Sequence, residues 1–216
     1  MAAHLIAVPV VLPLLAGALL LVVDEPRHGL KASVGVTTTV LSLLAAVALA
    51  IRADSVVTHV YAVGNWTAPV GIVLVADRLA ALMVLLTSVL GLAAILFSLA
   101  RWHRFGLHFH ALVLFLLAGL NGAFLTGDLF NLFVFFELLL AASYGLALHG
   151  GGTLRVRAGL HYIVINLAAS LLFLVGVSLL YGMAGTLNMA DLAVRLPQLP
   201  PAWLMKASAS KADALS

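Results

Sequence analysis

The sequence contains no cysteine and very little charge. Without cysteine there can be no disulfide, thiolate metal site or cysteine nucleophile. Only 9% of the residues are charged, against about 25% in soluble domains, which excludes an ordinary water-soluble fold. The basic residues occur singly or in pairs, so no nucleic-acid-binding surface is expected. No two histidines have the spacing of a helical zinc site, and neither a metal nor a cofactor is predicted.

Long apolar runs make up most of what is present. Six of them approach the ~20 residues that a spanning helix needs, so we predict an all-α integral membrane protein with about six transmembrane helices. Residues 1–196 are expected to form the membrane domain, and the polar residues 197–216 a disordered tail. The first run lacks a preceding basic residue and a cleavage pattern, which favours a retained helix over a signal peptide. The predicted spans are about 5–23, 33–51, 79–100, 107–126, 128–148 and 158–181.

The connections between the spans carry the basic residues and predict the orientation. The odd-numbered loops contain most of them, which places these loops in the cytoplasm and the N-terminus outside. Segment 55–76 is apolar but is interrupted by Gly64, Asn65, Pro69 and Gly71, so a short extended hairpin between helices 2 and 3 is favoured over a seventh span. The basic residues of the odd loops are Arg27, Lys31, Arg101, Arg104, Arg155 and Arg157.

Glu137 is the strongest candidate for a functional residue. It is the only ionisable side chain between Asp128 and His149 apart from Tyr144, and it lies nine residues beyond Asp128, or roughly 13 to 14 Å along a helix. That places a carboxyl group near the middle of a hydrocarbon layer about 30 Å thick. Acids at this depth are costly and usually functional, so Glu137 is predicted to be a proton carrier. The alternative is a permanently protonated packing residue.

Further polar residues could connect Glu137 to the cytoplasm. Tyr144 lies two turns beyond Glu137 on nearly the same face of helix 5. Tyr162, Asn166 and Ser170 recur at intervals of four and form one polar stripe on helix 6. These side chains could relay protons, or they could join helices through hydrogen bonds.

His161, beside that stripe and one turn from Arg157, could pass protons or could lie at the membrane surface. Asp128 is expected to cap helix 5, because a carboxylate there accepts from free amides at the positive end of the helix dipole. Asn121 and Asn131 are expected to be packing residues, and the four phenylalanines at 130, 133, 135 and 136 are expected to pack as well.

Several long segments resemble one transporter family. NGAFLTGDLFNLFVFFELLLAASYGL (121–146) and RVRAGLHYIVINLAASLLFLVGVSLLYGMAGTLNMADLA (155–193) resemble the D subunit of the Mrp-type multisubunit cation/proton antiporters, in particular the Pha-type potassium/proton branch. LPLLAGALLL (12–21), GIVLVADRLAALM (71–83) and ARWHRFGLHFHAL (100–112) are also similar to that family. The resemblance extends over residues 5 to 200. The family is itself similar to the proton-pumping antiporter-like subunits of respiratory complex I.

The resemblance implies a transporter subunit, and not an enzyme, in a multi-pass complex of the bacterial inner membrane. Its expected partners are the lipid bilayer, other antiporter subunits, protons and a monovalent cation, either K⁺ or Na⁺. Glu137 stands at the position of the family's essential glutamate on the fifth helix. The alternative is a membrane subunit of a complex I-like NADH:quinone oxidoreductase or of a hydrogenase complex, and a third possibility is an inert remnant.

The sequence departs from the family in its length. Family members have many more spanning helices, and their glutamate pairs with a lysine on the next helix. Lys206 and Lys211 lie in the polar tail and cannot be that partner. The chain is therefore expected to be the first part of a subunit, shortened by a frameshift or an early stop, with little transport activity of its own.

Overall fold

The computed structural model describes residues 3–23, 27–53, 58–66, 71–100, 108–150 and 152–198. Within them the chain forms six long helices, one short helix and one two-stranded antiparallel hairpin, which confirms the predicted all-α membrane architecture with a hairpin between helices 2 and 3. The helices are α1 (Val8–Val22), α2 (His28–Ala53), α3 (Arg78–Leu99), α4 (Phe109–Leu125), α5 (Leu129–Ala147), α6 (Thr153–Ala184) and α7 (Met189–Arg195). The strands are β1 (His59–Ala62) and β2 (Val73–Ala76).

Four of the described helices, α2, α3, α5 and α6, are long and apolar enough to cross a membrane. The other two apolar helices are shorter. α1 has 15 residues and follows a 3₁₀ turn at Ala3–Ile6, while α4 has 17 residues, near the lower limit of about 17 for a spanning helix. The predicted N-terminus-outside orientation stays a prediction.

Two of the predicted loops are partly helical. α2 begins at His28, so Lys31 lies in its first turn, where it is 4% exposed. α6 begins at Thr153, so Arg155 and Arg157 are also helical. The expectation that these three residues lie in loops is wrong. α6 continues past the apolar layer because its first turns can place the charged ends of Arg155 and Arg157 near the membrane surface, whereas Lys31 is buried inside the bundle.

The C-terminal side of the described chain ends in a 3₁₀ turn at Leu196–Gln198, which directly follows α7. Residues 199–216 lie outside the described residues. The disordered tail at 197–216 therefore stays a prediction, and so does the boundary of the membrane domain at 196.

The bundle core has two apolar clusters, one at each end. At the end that carries the hairpin, here called the hairpin end, Ile6, Leu49, Leu74, Val84 and Leu125 pack together. At the opposite end the second cluster joins α1, α3 and α4; its members are Leu20, Ile95, Ala111, Val113, Leu114 and Leu117. Most of α6 lies outside this core, and its buried residues are Gly159, Val177 and Ala184.

A buried hydrogen bond joins α1 to α4. Pro13 lies inside α1 and has no N–H, so the carbonyl of Pro9 loses its helical donor. The Asn121 side-chain amide donates to that carbonyl at 2.8 Å, and Asn121 is only 1% exposed. The prediction that Asn121 is a packing residue is confirmed. Asn131 is also buried, and its side-chain amide donates to Thr126 Oγ1, just before its own helix, at 2.9 Å.

Two turns of similar sequence pair with each other at the hairpin end. We call residues 126–129 and 186–189 the paired turns. Each has a threonine whose Oγ1 accepts from the backbone N–H two residues later at 3.3 Å, and each then starts a helix with a capping Asp128 or Asn188. The turns exchange two backbone hydrogen bonds of 2.9 Å, from Leu129 N–H to the Leu187 carbonyl and from Met189 N–H to the Gly127 carbonyl. The starts of α5 and α7 are therefore fixed to each other.

Candidate functional site

The first turn of α5 is fixed by Asp128, as predicted. Its Oδ1 accepts from the backbone N–H groups of Phe130 and Asn131, both at 2.9 Å. From there the helix continues through apolar residues to Glu137. Glu137 is half-buried, and its Oε1 is shielded from solvent and has no hydrogen-bond partner among the described residues. An acid with an unsatisfied oxygen in an apolar span is costly, and such groups are more often functional than structural.

Aromatic contacts hold α6 against the face of α5 that carries Glu137. Phe133 stacks on Phe173 with ring centroids 6.3 Å apart, and Tyr144 meets Tyr162 edge-to-face at 5.6 Å. These two contacts define an antiparallel register, in which each residue forward along α5 is matched by one residue backward along α6. Glu137 lies between the two contacts, so Ala169 is opposite it and Ser170 is one residue away.

The polar stripe on α6 is present, and its members have different contacts. The Tyr162 hydroxyl lies 3.2 Å from Ser143 Oγ on α5, and Ser143 in turn donates to the Leu140 carbonyl. The Asn166 amide donates to the Tyr162 carbonyl of its own helix at 2.7 Å. Asn166 and Ser170 both line a cleft between α5 and α6. The structure therefore brings Tyr144, Tyr162, Asn166 and Ser170 to the side of α5 that carries Glu137.

That cleft, here called the α5–α6 cleft, has a volume of about 350 Å³. Apolar side chains supply most of its wall, and Asn166 and Ser170 supply the polar groups. Glu137 immediately follows one of the lining residues along α5. A cleft of this size can hold several water molecules, each occupying about 30 Å³ in the liquid. Its lining residues are Phe133, Phe136, Leu139, Leu140, Asn166, Ala169, Ser170 and Phe173.

His161 lies apart from these contacts. Its ring is exposed, and Nδ1 hydrogen-bonds to the Arg157 carbonyl at 2.9 Å. Gly145, which follows Tyr144 on α5, is needed for the close approach of α4. A Cβ on Gly145 would lie 2.8 Å from the Leu112 side chain, so the space beside this glycine is filled.

Polar residues inside the bundle on α2 and α4 were missed from the sequence. Lys31, Thr38 and Ser42 are buried on α2, and His110 on α4 is 4% exposed. A Cβ on Gly35 would lie 2.9 Å from His110 Nδ1, so this glycine makes space for the ring. The spacing of Lys31, Thr38 and Ser42, at intervals of seven and four, could have indicated one polar face. Among the described residues no group of three or more metal-binding side chains occurs.

The geometry and the composition define a class of protein. This is a multi-pass helical membrane protein with a carboxyl group inside the apolar part of one span, next to a partly polar cleft.

Comparisons with known proteins show what this chain is similar to. Residues 126–209 match the family model described as "NADH:quinone oxidoreductase/Mrp antiporter, TM". The chain is 59% identical over 203 residues to a probable K⁺/H⁺ antiporter D subunit of Rhizobium meliloti, covering 92% of this chain and 38% of the relative. It is 44% identical over 198 residues to the Na⁺/H⁺ antiporter D subunit of Alkalihalophilus pseudofirmus, covering 91% and 40%. In the solved Mrp complex from a Dietzia species, one chain aligns with a TM-score of 0.81 and 39% identity, covering 88% of this chain and 36% of that one.

The resemblance predicted from the sequence is confirmed: this chain is a homologue of part of the D subunit of the Mrp- and Pha-type cation/proton antiporters. It spans about two fifths of the length of the curated relatives it matches, 38% in one case and 40% in the other.

Proposed function

We propose that this chain acts as a subunit of a multisubunit monovalent cation/proton antiporter in the bacterial inner membrane, a transporter and not an enzyme, with Glu137 as its proton carrier. The observation that supports the proposal best is the carboxyl group of Glu137. Its Oε1 is buried without a hydrogen-bond partner among the described residues, in a span that otherwise contains few polar groups. Relatives of this chain are named K⁺/H⁺ and Na⁺/H⁺ antiporter subunits, so the carried cation is one of these two.

The physical reason for coupling lies in the cost of a bare carboxylate. In hydrocarbon a charged side chain costs at least ~2.5 kcal/mol on insertion scales, so Glu137 releases its proton most easily when another positive charge approaches. Protonation of the carboxyl group removes that attraction and favours departure of the cation. A single carboxyl group that holds a proton or attracts a cation, but not both, is the simplest basis for exchange.

The proton path in this proposal runs along the α5–α6 cleft. Ser170, one residue from the level of Glu137, and Asn166 supply polar groups on the cleft wall. Tyr162 and Tyr144 continue toward the end opposite the hairpin, where His161 is exposed. Water in the cleft would connect the hydroxyl and amide groups. Other antiporter subunits, lipid, protons and the cation are the partners in this proposal.

The experiment uses everted membrane vesicles from a strain without its own antiporters, in which a full-length D subunit that contains this sequence is expressed together with the other subunits of the antiporter. A pH-sensitive dye reports proton movement when K⁺ or Na⁺ is added. We expect Glu137→Gln to abolish the cation-dependent signal, because glutamine fills the same space but cannot release a proton. Glu137→Asp should keep part of the signal.

The matched control is Asp128→Asn. Asparagine caps a helix about as well as aspartate, so this change removes a carboxylate from α5 without loosening its start. Exchange should survive it. Persisting exchange in Glu137→Gln, with normal amounts of protein in the membrane, would show that Glu137 is not the carrier. Equal loss in both variants would show that the effect is not specific to the buried site.

A second candidate function is membrane proton pumping in a redox complex. The specific observation that favours it is the family description itself, which includes NADH:quinone oxidoreductases together with Mrp antiporters. Co-purification distinguishes the two. An antiporter should bring down small membrane subunits and show K⁺- or Na⁺-dependent exchange without NADH, whereas a redox complex should bring down flavin and iron–sulfur subunits.

A further inference from the structure

A long apolar groove runs between α3 and α4 and ends at the turn between α5 and α6. Its volume is about 890 Å³, and its wall on α3 extends from Met83 to Ser98. Fifteen residues of helix correspond to about 22 Å. Two ionisable side chains, His149 and Arg155, are among the lining residues, and both lie at the end opposite the hairpin. The groove is therefore apolar along its length and polar at one end.

The polar end of the groove has a buried group without a partner. His149 is 9% exposed, and its Nε2 is shielded from solvent and has no hydrogen-bond partner among the described residues. The ring is held in place by Phe109, with centroids 5.1 Å apart. A buried ring nitrogen without a partner is rare in folded proteins, because leaving a buried polar group without a hydrogen bond is costly. A polar atom of a bound ligand would remove that cost.

Arg155 and the start of α6 make this end of the groove positive. The Arg155 guanidinium donates to the His149 carbonyl, so the two residues are adjacent, and no ion pair joins Arg155 to a carboxylate in the described part of the chain. α6 begins after Gly152, which supplies no side-chain cap. The first amides of a 32-residue helix then carry the positive end of its dipole toward the same place. An anion would therefore be attracted by the His149 ring, by the Arg155 guanidinium and by the start of α6.

We infer that this groove binds one anionic glycerophospholipid, with its acyl chains along α3 and α4 and its phosphate at His149 and Arg155. The groove is about 22 Å long on α3, and one leaflet of a bilayer has an apolar depth of about 15 Å, half of the ~30 Å core, so the groove is long enough for the acyl chains of one lipid. The charge supports this occupant as well, since the phosphate is an acceptor for both the ring N–H and the guanidinium. The end with Arg155 is the one predicted to face the cytoplasm, where juxtamembrane basic residues meet anionic lipid.

Native mass spectrometry of the purified 216-residue chain tests the headgroup contact. The chain is titrated in detergent with phosphatidylglycerol, with phosphatidylcholine of the same acyl chains, and with free glycerol 3-phosphate. We expect phosphatidylglycerol to bind most tightly, and Arg155→Gln to weaken it about fivefold, which corresponds to about 1 kcal/mol for one arginine near anionic lipid. Arg155→Lys should restore most of the binding, and His149→Phe, which keeps the ring on Phe109, should weaken it.

The control for the headgroup arm is Arg157→Gln, which removes an exposed arginine two residues away that does not line the groove. It should leave binding unchanged. Equal weakening by both arginine changes would show a general effect of surface charge and overturn the inference. Equal binding of the two lipids would overturn it too, and binding of glycerol 3-phosphate as tight as that of the lipid would overturn it by showing a phosphate site that does not use the groove.

A second pair of variants tests the acyl-chain contact. Ala94 lines the groove, whereas its neighbour Ala93 is also exposed on α3 but does not line it. Ala94→Trp should fill the groove and displace phosphatidylglycerol, and Ala93→Trp should not. Retention of lipid by a folded Ala94→Trp variant would show that the acyl chains lie outside the groove and would overturn the inference. Far-UV circular dichroism identifies a variant that fails to fold, in which case the arginine pair decides alone.

Discussion

Replacing Asn121 by leucine tests how the bundle satisfies a carbonyl that a proline has left without a donor. Pro13 cannot donate to the Pro9 carbonyl four residues earlier, and the Asn121 amide donates to it at 2.8 Å from α4. Leucine has nearly the same shape as asparagine but no donor. In Asn121→Leu the Pro9 carbonyl therefore stays buried without a hydrogen bond, and α1 and α4 should separate more easily.

The expected magnitude follows from two ranges for the same kind of interaction. Side-chain hydrogen bonds between membrane helices average about 0.6 kcal/mol, with a maximum of about 1.7, while an orphaned buried acceptor costs about 1–3. Asn121 Oδ1 is itself buried without a partner among the described residues, so losing it offsets part of the cost. We expect Asn121→Leu to lower the free energy of unfolding by about 1 kcal/mol.

A double-mutant cycle with Pro13→Ala isolates the hydrogen bond. Alanine at position 13 has an N–H that can reach the Pro9 carbonyl within α1, so the carbonyl no longer needs Asn121. Loss of Asn121 Oδ1 has the same effect in both backgrounds and cancels. In the Pro13→Ala background the cost of Asn121→Leu should fall below about 0.5 kcal/mol. The difference between the costs in the two backgrounds is the coupling energy between residues 13 and 121, which residues that share a hydrogen-bonded group are expected to show.

Unfolding of the purified chain in mixed micelles, with increasing SDS and far-UV circular dichroism as the readout, supplies the four free energies. Ser178→Ala is the control, because its hydroxyl is exposed and donates only within its own helix, to the Leu174 carbonyl. It should have no effect in either background. An equal cost of Asn121→Leu with and without Pro13 would refute the reasoning, since the asparagine would then act through packing and not through the freed carbonyl.

Two further predictions concern the helix ends and the α4–α5 contact. The hydrogen bond from Arg195 lowers the pKa of Asp191. The contribution of this hydrogen bond to the stability of α7 should therefore be constant above the ordinary aspartate pKa and be lost as the pH falls through the lowered value. Amide hydrogen exchange of α7 across the acidic range should show this loss in the native chain but not in Asp191→Asn, and the same pH dependence in both would contradict the prediction. Gly122→Ala should destabilise the bundle, because its Cβ would overlap the Phe135 ring, whereas Gly176→Ala meets nothing within 4 Å and should be neutral or stabilise α6 by up to about 1 kcal/mol; equal midpoints in SDS unfolding would refute the close contact.

The main architecture could be predicted because apolar length and turn chemistry act locally. Six apolar runs became six helices, and glycine and proline near residues 64–71 indicated the hairpin that β1 and β2 form. The cap at Asp128 was also predictable, since an aspartate just before an apolar helix has amides within reach. The position of Glu137 within α5, nine residues beyond Asp128, followed from counting residues along one helix.

Features that depend on contacts between distant helices could not be predicted in the same way. The sequence indicated that Asn121 packs, but its partner is 112 positions away. Because Pro13 has no N–H, the sequence indicates that another group must donate to the Pro9 carbonyl, and only the fold shows which group that is. The burial of Lys31 and His110 depends on how α2 meets α4 at Gly35, which a helical period does not reveal.

The paired turns anchor the start of α5 at the hairpin end. Two backbone hydrogen bonds, between Leu129 and Leu187 and between Met189 and Gly127, prevent α5 from sliding along its axis without breaking both. Rotation about the anchored end remains possible. Glu137 lies nine residues beyond Asp128, about 13 to 14 Å along α5, so a tilt of α5 by about 10° about its anchored start displaces the Glu137 carboxyl group by about 2 Å. A displacement of that size is enough to bring the carboxyl group within or out of hydrogen-bond distance of a neighbouring polar group, while the backbone hydrogen bonds connect the start of α5 directly to α7.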